Sequence, residues 1–238
     1  MNQSSGFTLV EISIVMIIIG LLIGGTFGGM KLVENMQVNK TVQDLKAIES
    51  AALTFKDTYG RLPGDIASPS TRLPGCTAAP CSTAGNGNRS IDNVASWNEV
   101  LDPTMEKFTF WHHLRAANLI QLSHENSTSL LFGEGQPSAP YDGGYRVINF
   151  GNAAFPGPST RPTDRTLIFW TSTDTAVPSA GYFSFPCAII QSIDQKIDDG
   201  MPYTGLATAW VCNAGAPTVT TPYSIAHTGL LAYDVKGF

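Results

Sequence analysis

GFTLVEISIVMIIIGLLIGGTFGGM, residues 6–30, is the stretch that decides the fold of this chain. Its last 19 residues, 12–30, carry no charge. As a helix they would extend about 28 Å, close to the thickness of the hydrocarbon core of a bilayer. The stretch is therefore predicted to be a membrane helix. Glu11 lies near its start, and because a carboxylate in such a segment costs about 3 kcal/mol, we expect Glu11 to have a partner.

The composition of the 238 residues suits one membrane segment followed by one soluble domain. Only 14% of the residues are charged, whereas glycine (23) and proline (15) are frequent. This balance favours a loop-rich, β-containing domain outside the cytoplasm. The net charge is −5, and the lysines and arginines are scattered singly, so nucleic-acid binding is not supported.

The four cysteines all follow the membrane segment. An even number of cysteines beyond a membrane helix indicates disulfides and an oxidising compartment. Of the three possible connectivities we favour the short loops, Cys76–Cys81 and Cys187–Cys212. A zinc site is the less favoured alternative, because the spacings are not those of a CxxC motif and no histidine lies at ligand spacing from either pair.

A processing motif precedes the apolar run. The short polar leader MNQSSG, residues 1–6, is followed by Phe7-Thr8-Leu9-Val10-Glu11 and then by the apolar run. This arrangement resembles the N-terminal motif of type IV pilins and type II secretion pseudopilins, although the leader lacks the lysine or arginine that many family leaders carry. The resemblance implies that a prepilin peptidase cleaves between Gly6 and Phe7 and that the new amino group of Phe7 is methylated. It also implies that Glu11 pairs with the N-terminal amine of a neighbouring subunit.

Two features of the apolar helix allow more than one interpretation. Considered by itself, Glu11 would also fit a residue at the interfacial edge of an ordinary membrane anchor. The nearby Gly6 and Phe7 favour the assembly role instead. Five glycines give GxxxG spacings, which let helices approach closely but also weaken a helix. We expect either that this part bends or melts, as in related pilins, or that it forms a packing face; the glycines are Gly20, Gly24, Gly25, Gly28 and Gly29.

The chain beyond Lys31 is predicted to continue the same helix with an amphipathic pattern. Gly60 and then Pro63 provide a helix end. From Phe7 to Tyr59 this helix would be about 80 Å long, so its first half needs lipid or other subunits, and its second half needs a soluble domain. Apolar residues recur on one face at steps of mostly three and four: Val38, Val42, Leu45, Ala52, Phe55 and Tyr59.

The remainder is predicted to be an antiparallel sheet with short helices. Turn-forming residues make 61–102 an irregular connection, which the family resemblance suggests is surface-exposed and variable. A helix is expected to start at Asp102 and Pro103 and to include 106–118, and another is expected over 187–199. The tail to Phe238 is expected to form an edge strand or to pack loosely. Strands are expected at 145–150, 165–171, 182–185 and 204–212.

Few residues in this head suggest chemistry. His112 and His113 are adjacent on a helix and cannot easily face one ion, so a structural or surface role is favoured, as it is for His124 and Glu125. An exposed helix end is likewise favoured for a group of acidic residues that forms a weak calcium candidate. We find no GxSxG, P-loop or HExxH motif, predict no enzyme activity and expect no cofactor. The acidic candidates are Asp194, Asp198 and Asp199.

The predicted fold is α+β and pilin-like, with a protruding apolar half-helix and an amphipathic half packed on the sheet. The predicted divisions are leader 1–6, membrane or filament-core helix 7–30, amphipathic helix 31–60 and disulfide-stapled head 61–238. The predicted function is a structural filament subunit of the type IV pilin kind. It would lie in the inner membrane and then in a periplasmic or cell-surface filament. Its partners would be other pilins, the prepilin peptidase and an inner-membrane assembly platform. The alternatives are a type II secretion pseudopilin and a membrane-tethered binding module or adhesin.

Overall fold

The computed structural model describes residues 8–91, 102–121, 127–141, 143–149, 166–171, 185–210, 212 and 220–235. Its first element, α1, is one helix of 51 residues, Leu9–Tyr59, about 75 Å long. Gly60 ends it in the left-handed conformation, with φ 68°, and donates its N–H to the carbonyl of Lys56. The helix continues through all five glycines of the apolar run, so bending there stays a prediction.

The two halves of α1 have different surroundings. Large apolar side chains are exposed from Leu9 to Met36, whereas burial begins at Val38. The amphipathic stripe therefore faces the head, as its spacing predicted, while the apolar half extends beyond it. The buried residues of α1 are Val38, Thr41, Val42, Leu45, Ile48, Ala51, Ala52 and Phe55.

A five-stranded antiparallel sheet forms the other layer, an arrangement that is consistent with an α+β, pilin-like fold. The last strand, β5, is its centre: it pairs with β2 and also with β3 and β4, while β1 pairs with β2. The expectation of an edge strand or loose packing for the tail was therefore wrong. The strands are β1 Gly144–Asn149, β2 Thr166–Thr171, β3 Phe185–Pro186, β4 Ala207–Trp210 and β5 Thr228–Asp234.

Three shorter helices complete the head: α2 Pro69–Arg72, α3 Glu106–Ala116 and α4 Cys187–Ile197. Both α3 and α4 contact α1, and α4 also packs on β4 and β5. Each ends two residues before the sequence-based expectation, since turn geometry begins directly after Ala116 and Ile197. The expected start of α3 at Asp102 and Pro103 was wrong, because the chain forms a turn there and the helix begins at Glu106. The irregular connection contains the single helical turn of α2.

Polar contacts fix the direction of α1 relative to the head. The hydroxyl of Tyr233 on β5 donates to Glu49 Oε2 at 2.5 Å. Lys196 Nζ on α4 donates to Asn39 Oδ1 at 2.6 Å. Because these contacts join two different elements of the head to α1, the apolar half of the helix projects from a defined position.

Candidate functional site

The start of α1 is closed by reciprocal hydrogen bonds. Thr8 is the N-cap residue, with extended backbone angles (φ −79°, ψ 152°), and its hydroxyl oxygen accepts the backbone N–H of Glu11 at 3.3 Å. In return, Glu11 Oε2 accepts the backbone N–H and the hydroxyl of Thr8, both at 2.8 Å. This capping box satisfies amide donors that a helix start otherwise leaves without partners.

Glu11 is surrounded by an apolar surface. Its neighbours Leu9 and Val10 are 86% and 65% exposed, and α1 is long and apolar enough to cross a membrane by length and composition. Hydrogen bonds from Thr8 and the positive end of the helix dipole reduce the cost of the carboxylate in such surroundings, but they do not neutralise its charge. Within the described part of the chain, no basic side chain forms an ion pair with Glu11. A cation from elsewhere would therefore complete this site.

Gly6 and Phe7, the residues predicted to flank the cleavage site, lie outside the described residues. Thr8 is a site residue that sequence reasoning passed over as a mere part of the motif. The pattern Thr8-x-x-Glu11 is a capping-box signature and could have revealed it. Glu11 thus has a local partner in its own chain as well as an unbalanced charge.

Removing the Thr8 hydroxyl should loosen the helix start. For Thr8→Val we expect faster amide hydrogen exchange over residues 9–12, corresponding to about 1 kcal/mol of lost capping. Thr8→Ser keeps the hydroxyl and is the matched control. Exchange measured by mass spectrometry on the full chain in detergent micelles checks this. Equal exchange rates in the two variants would show that the capping box contributes nothing.

The five glycines of the apolar run form an open strip on the helix. A Cβ atom built on any of them meets no other atom within 4 Å, so none is required for packing within the subunit; they are Gly20, Gly24, Gly25, Gly28 and Gly29. If they form a packing face, it is therefore a face toward other molecules. The choice between packing and bending stays open.

Residues 1–27 match the family model of the prokaryotic N-terminal methylation motif. This is the signature of type IV pilins and pseudopilins, and it is carried here by a long apolar N-terminal helix. The N-terminal part of the chain is therefore similar to that of type IV pilins and pseudopilins. No curated protein and no solved structure matches it significantly.

The methylation motif has general consequences. It implies processing by a prepilin peptidase and assembly with other pilins, and with the apolar helix it suggests anchoring in a membrane before assembly. It also points to a structural subunit rather than an enzyme.

In the pilin-like head, His113 holds the connection between α1 and the sheet. Its Nδ1 accepts the backbone N–H of Gly64 at 2.8 Å, and its Nε2 lies 3.0 Å from the carbonyl oxygen of Cys81. Both contacts form only if the ring is neutral and Nε2 carries the proton. Burial lowers the pKa of His113 to about 4, which favours this neutral form. His112, also fully buried, has a structural place in the core, while His124 and Glu125 lie outside the described residues.

The connection is buried at its start, whereas most of residues 67–90 are exposed or half-buried, in keeping with the surface position that the family resemblance suggested. Residues 62–66 are buried, and the Asp65 carboxylate accepts the backbone N–H of Arg89 at 2.7 Å. Burial raises the pKa of Asp65. On α3, Glu106 Oε1 accepts the backbone N–H of Asn86 at 2.7 Å. Side chains from α3 and from the connection itself thus replace regular secondary structure in fixing its path.

The cysteines are bonded as Cys76–Cys81 and Cys187–Cys212, the pairing that short loops favoured. The sulfurs of the first pair lie near His113 in a group with metal-like geometry, but their disulfide removes both as ligands. The second disulfide joins the first residue of α4 to Cys212, the second residue beyond β4. It therefore closes a loop that contains α4, the following turn and β4.

The longer disulfide should stabilise the head more. Replacing Cys187 and Cys212 by serine is expected to cost about 3 kcal/mol, and replacing Cys76 and Cys81 about 2 kcal/mol, because loop-closure entropy grows with loop length. The loss is expected to be larger for Cys187–Cys212, whose cysteines are 25 residues apart, than for Cys76–Cys81, whose cysteines are 5 residues apart. Urea unfolding followed by tryptophan fluorescence measures both double variants. A larger loss from the shorter loop would contradict this account.

An acidic group lies at the end of α4. One oxygen from each of Asp194, Asp198 and Asp199 lies within 4.8 Å of the others. Asp198 and Asp199 are exposed, but Asp194 is fully buried, unlike the exposed helix end that the sequence favoured. Burial raises the pKa of Asp194 to about 7, against the effect of a 2.9 Å hydrogen bond from the Tyr223 hydroxyl. Tyr223 had no local sequence signal, since it is 29 residues away.

Proposed function

We propose that this chain is a structural subunit of an extracytoplasmic helical filament of the type IV pilin kind. It is inserted in the inner membrane, cleaved between Gly6 and Phe7, methylated on Phe7 and assembled through α1. Glu11 sets the register of each subunit by pairing with the N-terminal amine of a neighbour. The apolar half of α1 forms the filament core, and the head forms the outer surface.

The observation that carries this proposal is the apolar half of α1. Its large apolar side chains are exposed from Leu9 to Met36, beyond the reach of the head. Burial of apolar surface is the main driving force of association, so such a helix needs either lipid or copies of itself. During assembly the apolar half of α1 moves from lipid into contact with copies of itself, and it is not exposed to water.

The carboxylate of Glu11 explains why an ordinary anchor is the weaker interpretation. An anchor gains nothing from a charge near the start of its apolar surface, whereas an ammonium meeting this carboxylate in low dielectric removes the penalty of both groups. Thr8 occupies only Oε2 of Glu11 among the described contacts, which leaves Oε1 available to a neighbour. The capped subunit is therefore prepared for an incoming amine.

Shearing surface filaments from cells and identifying their protein by mass spectrometry tests the filament role. We expect this chain as a repeated component of the filaments. Its absence from sheared filaments, combined with a secretion defect on deletion, would favour the pseudopilin instead. Full retention in the membrane with neither phenotype would favour a tethered binding module or adhesin.

A further inference from the structure

The segment 85–90 of the connection contains an asparagine followed by a glycine. Asn86 is exposed to solvent, and Gly87 is half-buried beside it. In such a pair the peptide nitrogen of the glycine can reach the side-chain amide carbon of the asparagine, because glycine has no side chain that obstructs the approach. The groups around the Gly87 nitrogen therefore decide whether the chain can react with itself.

A buried carboxylate contacts that nitrogen. Asp65 is 0% exposed, and its Oδ2 accepts the backbone N–H of Arg89 at 2.7 Å. The backbone N–H of Gly87 also hydrogen-bonds to this carboxylate. A general base must lie within hydrogen-bond reach of the proton that it removes, and Asp65 meets this condition for Gly87. Burial raises the pKa of Asp65, which makes it a stronger base than an exposed aspartate.

The side-chain amide of Asn86 is held toward the same nitrogen. Its Oδ1 accepts the backbone N–H of Asn88 at 2.9 Å, which closes a hydrogen-bonded ring that includes the nitrogen of Gly87. The same N–H lies where negative charge would develop on Oδ1 during attack on the amide carbon. On α3, Glu106 Oε1 accepts the backbone N–H of Asn86 at 2.7 Å and so fixes the segment. A base, a nucleophile and an oxyanion donor are thus assembled around one amide.

We propose that Asn86 is a self-modification site, which deamidates in the folded protein with Asp65 as the general base. The Gly87 nitrogen forms a bond to Cγ of Asn86 while its proton passes to Asp65. Asp65 then returns a proton to Nδ2, the Cγ–Nδ2 bond breaks, and ammonia leaves a succinimide ring. Water adds to one of the two ring carbonyls and breaks its bond to nitrogen, which leaves aspartate or isoaspartate at position 86. The exposure of Asn86 gives that water access.

The product would weaken the contact between the connection and α3. A new carboxylate at position 86 would lie near Glu106, which accepts the backbone N–H of the same residue. Like charges this close repel each other, and isoaspartate also lengthens the backbone by one carbon. We therefore expect faster amide hydrogen exchange over 85–90 in the modified form. This modification does not depend on filament assembly or on the Glu11 pairing.

Peptide mapping by mass spectrometry, over time at neutral pH, tests the proposal on the full chain in detergent micelles. We expect the succinimide and then aspartate or isoaspartate at position 86. The reaction should be at least about tenfold faster in the folded chain than in the chain unfolded in urea at the same pH, because unfolding removes Asp65 from Gly87. Asn88 is the internal reference: it is exposed in the same segment but is followed by Arg89, and it should stay unmodified.

Asp65→Asn removes the base and should slow the reaction at least about tenfold. Asp57→Asn is the control, since it changes an exposed carboxylate on α1 and should leave the rate unchanged. If Asp65→Asn unfolds the connection, the pH dependence of the folded wild type decides. The rate should level off once Asp65 is ionised, whereas reaction without a protein base rises in proportion to hydroxide.

Three results would each overturn the proposal. The first is a folded wild type that reacts no faster than the unfolded chain. The second is a folded Asp65→Asn variant that reacts at the wild-type rate. The third is a folded wild type whose rate rises in proportion to hydroxide across the whole pH range, since Asp65 would then not act as the base.

Discussion

Replacing Glu11 with glutamine is expected to abolish incorporation of the subunit into filaments while leaving membrane insertion and cleavage after Gly6 intact. Glutamine keeps the carbonyl oxygen that accepts from Thr8, so the helix cap survives and only the charge is lost. The neighbouring amine then has no counter-ion in a low-dielectric environment. Because breaking such a pair costs about 3 to 5 kcal/mol, incorporation should fall at least about tenfold.

Asp57→Asn is the control for this experiment. Asp57 is an exposed carboxylate on the same helix, in the half that packs on the head, and its loss should leave incorporation unchanged. Glu11→Ala removes both charge and cap acceptor, so comparing it with Glu11→Gln separates the two contributions. Filament yield, scored by immunoblot of sheared material against total protein, measures all three variants. Wild-type yield from Glu11→Gln would rule out charge pairing.

The second large effect is a loss of head stability in acid. Burial, with smaller effects from Arg115 and His113, lowers the pKa of His112 to about 4, and burial lowers that of His113 to the same range. Unfolding restores the ordinary value of about 6.5, so the unfolded chain binds more protons below that pH. The stability from these neutral rings is present above about pH 6.5 and is lost as pH falls toward 4. Each histidine should contribute about 2 to 3 kcal/mol of loss between about pH 7 and 4.5.

Single substitutions separate this contribution from other titrations. His113→Gln cannot ionise, so the acid-induced loss of unfolding free energy should decrease by about the share of one histidine. His227→Gln is the control, because the His227 side chain is exposed and its imidazole contacts only Ser224 among the described hydrogen bonds. Urea unfolding at several pH values measures how the free energy of unfolding of each variant changes with pH. If His113→Gln keeps the full acid sensitivity of the wild type, the neutral ring between Gly64 and Cys81 is not its origin.

Asp194 should act in the opposite direction. Burial raises its pKa to about 7 in the folded chain, so between its ordinary value and about 7 the folded state binds the extra proton. Its contribution to stability therefore grows as pH falls through this window and partly offsets the histidines.

Local patterns predicted much of this fold. The apolar stripe from Val38 to Phe55 correctly predicted which face of α1 is buried, and Gly60 correctly predicted where the helix ends. Both features can be read from a few neighbouring residues, because helix periodicity and the left-handed C-cap depend only on local sequence. The motif around Glu11 suggested an assembly site by resemblance, and that role stays a prediction. The capping partner Thr8 was equally local, but it was read only as part of the motif.

Long-range contacts escaped prediction. The central position of β5 depends on which strands it meets, and its buried run Leu230–Leu231–Ala232–Tyr233 lacks the alternation that marks a half-buried strand. The hydrogen bond of Tyr223 to Asp194 joins residues with no common motif. His113 likewise meets its two partners only after the connection has folded over α3.

The two ends of the subunit have different proposed roles. One end has the capped carboxylate and the exposed apolar half-helix, and the other is the head with its two disulfides. In the proposed filament, the helix supplies assembly and the head supplies a stable outer surface. All parts of this account that concern the filament depend on processing at one bond, because assembly through Glu11 requires the free amine that cleavage creates.

The N-terminus of the mature protein tests that requirement most directly. Intact-mass and N-terminal peptide analysis of the protein isolated from membranes and filaments should show a chain that begins at Phe7 with a methylated amino group. A mature protein that retains residues 1–6, or that begins at any other residue, would contradict the account.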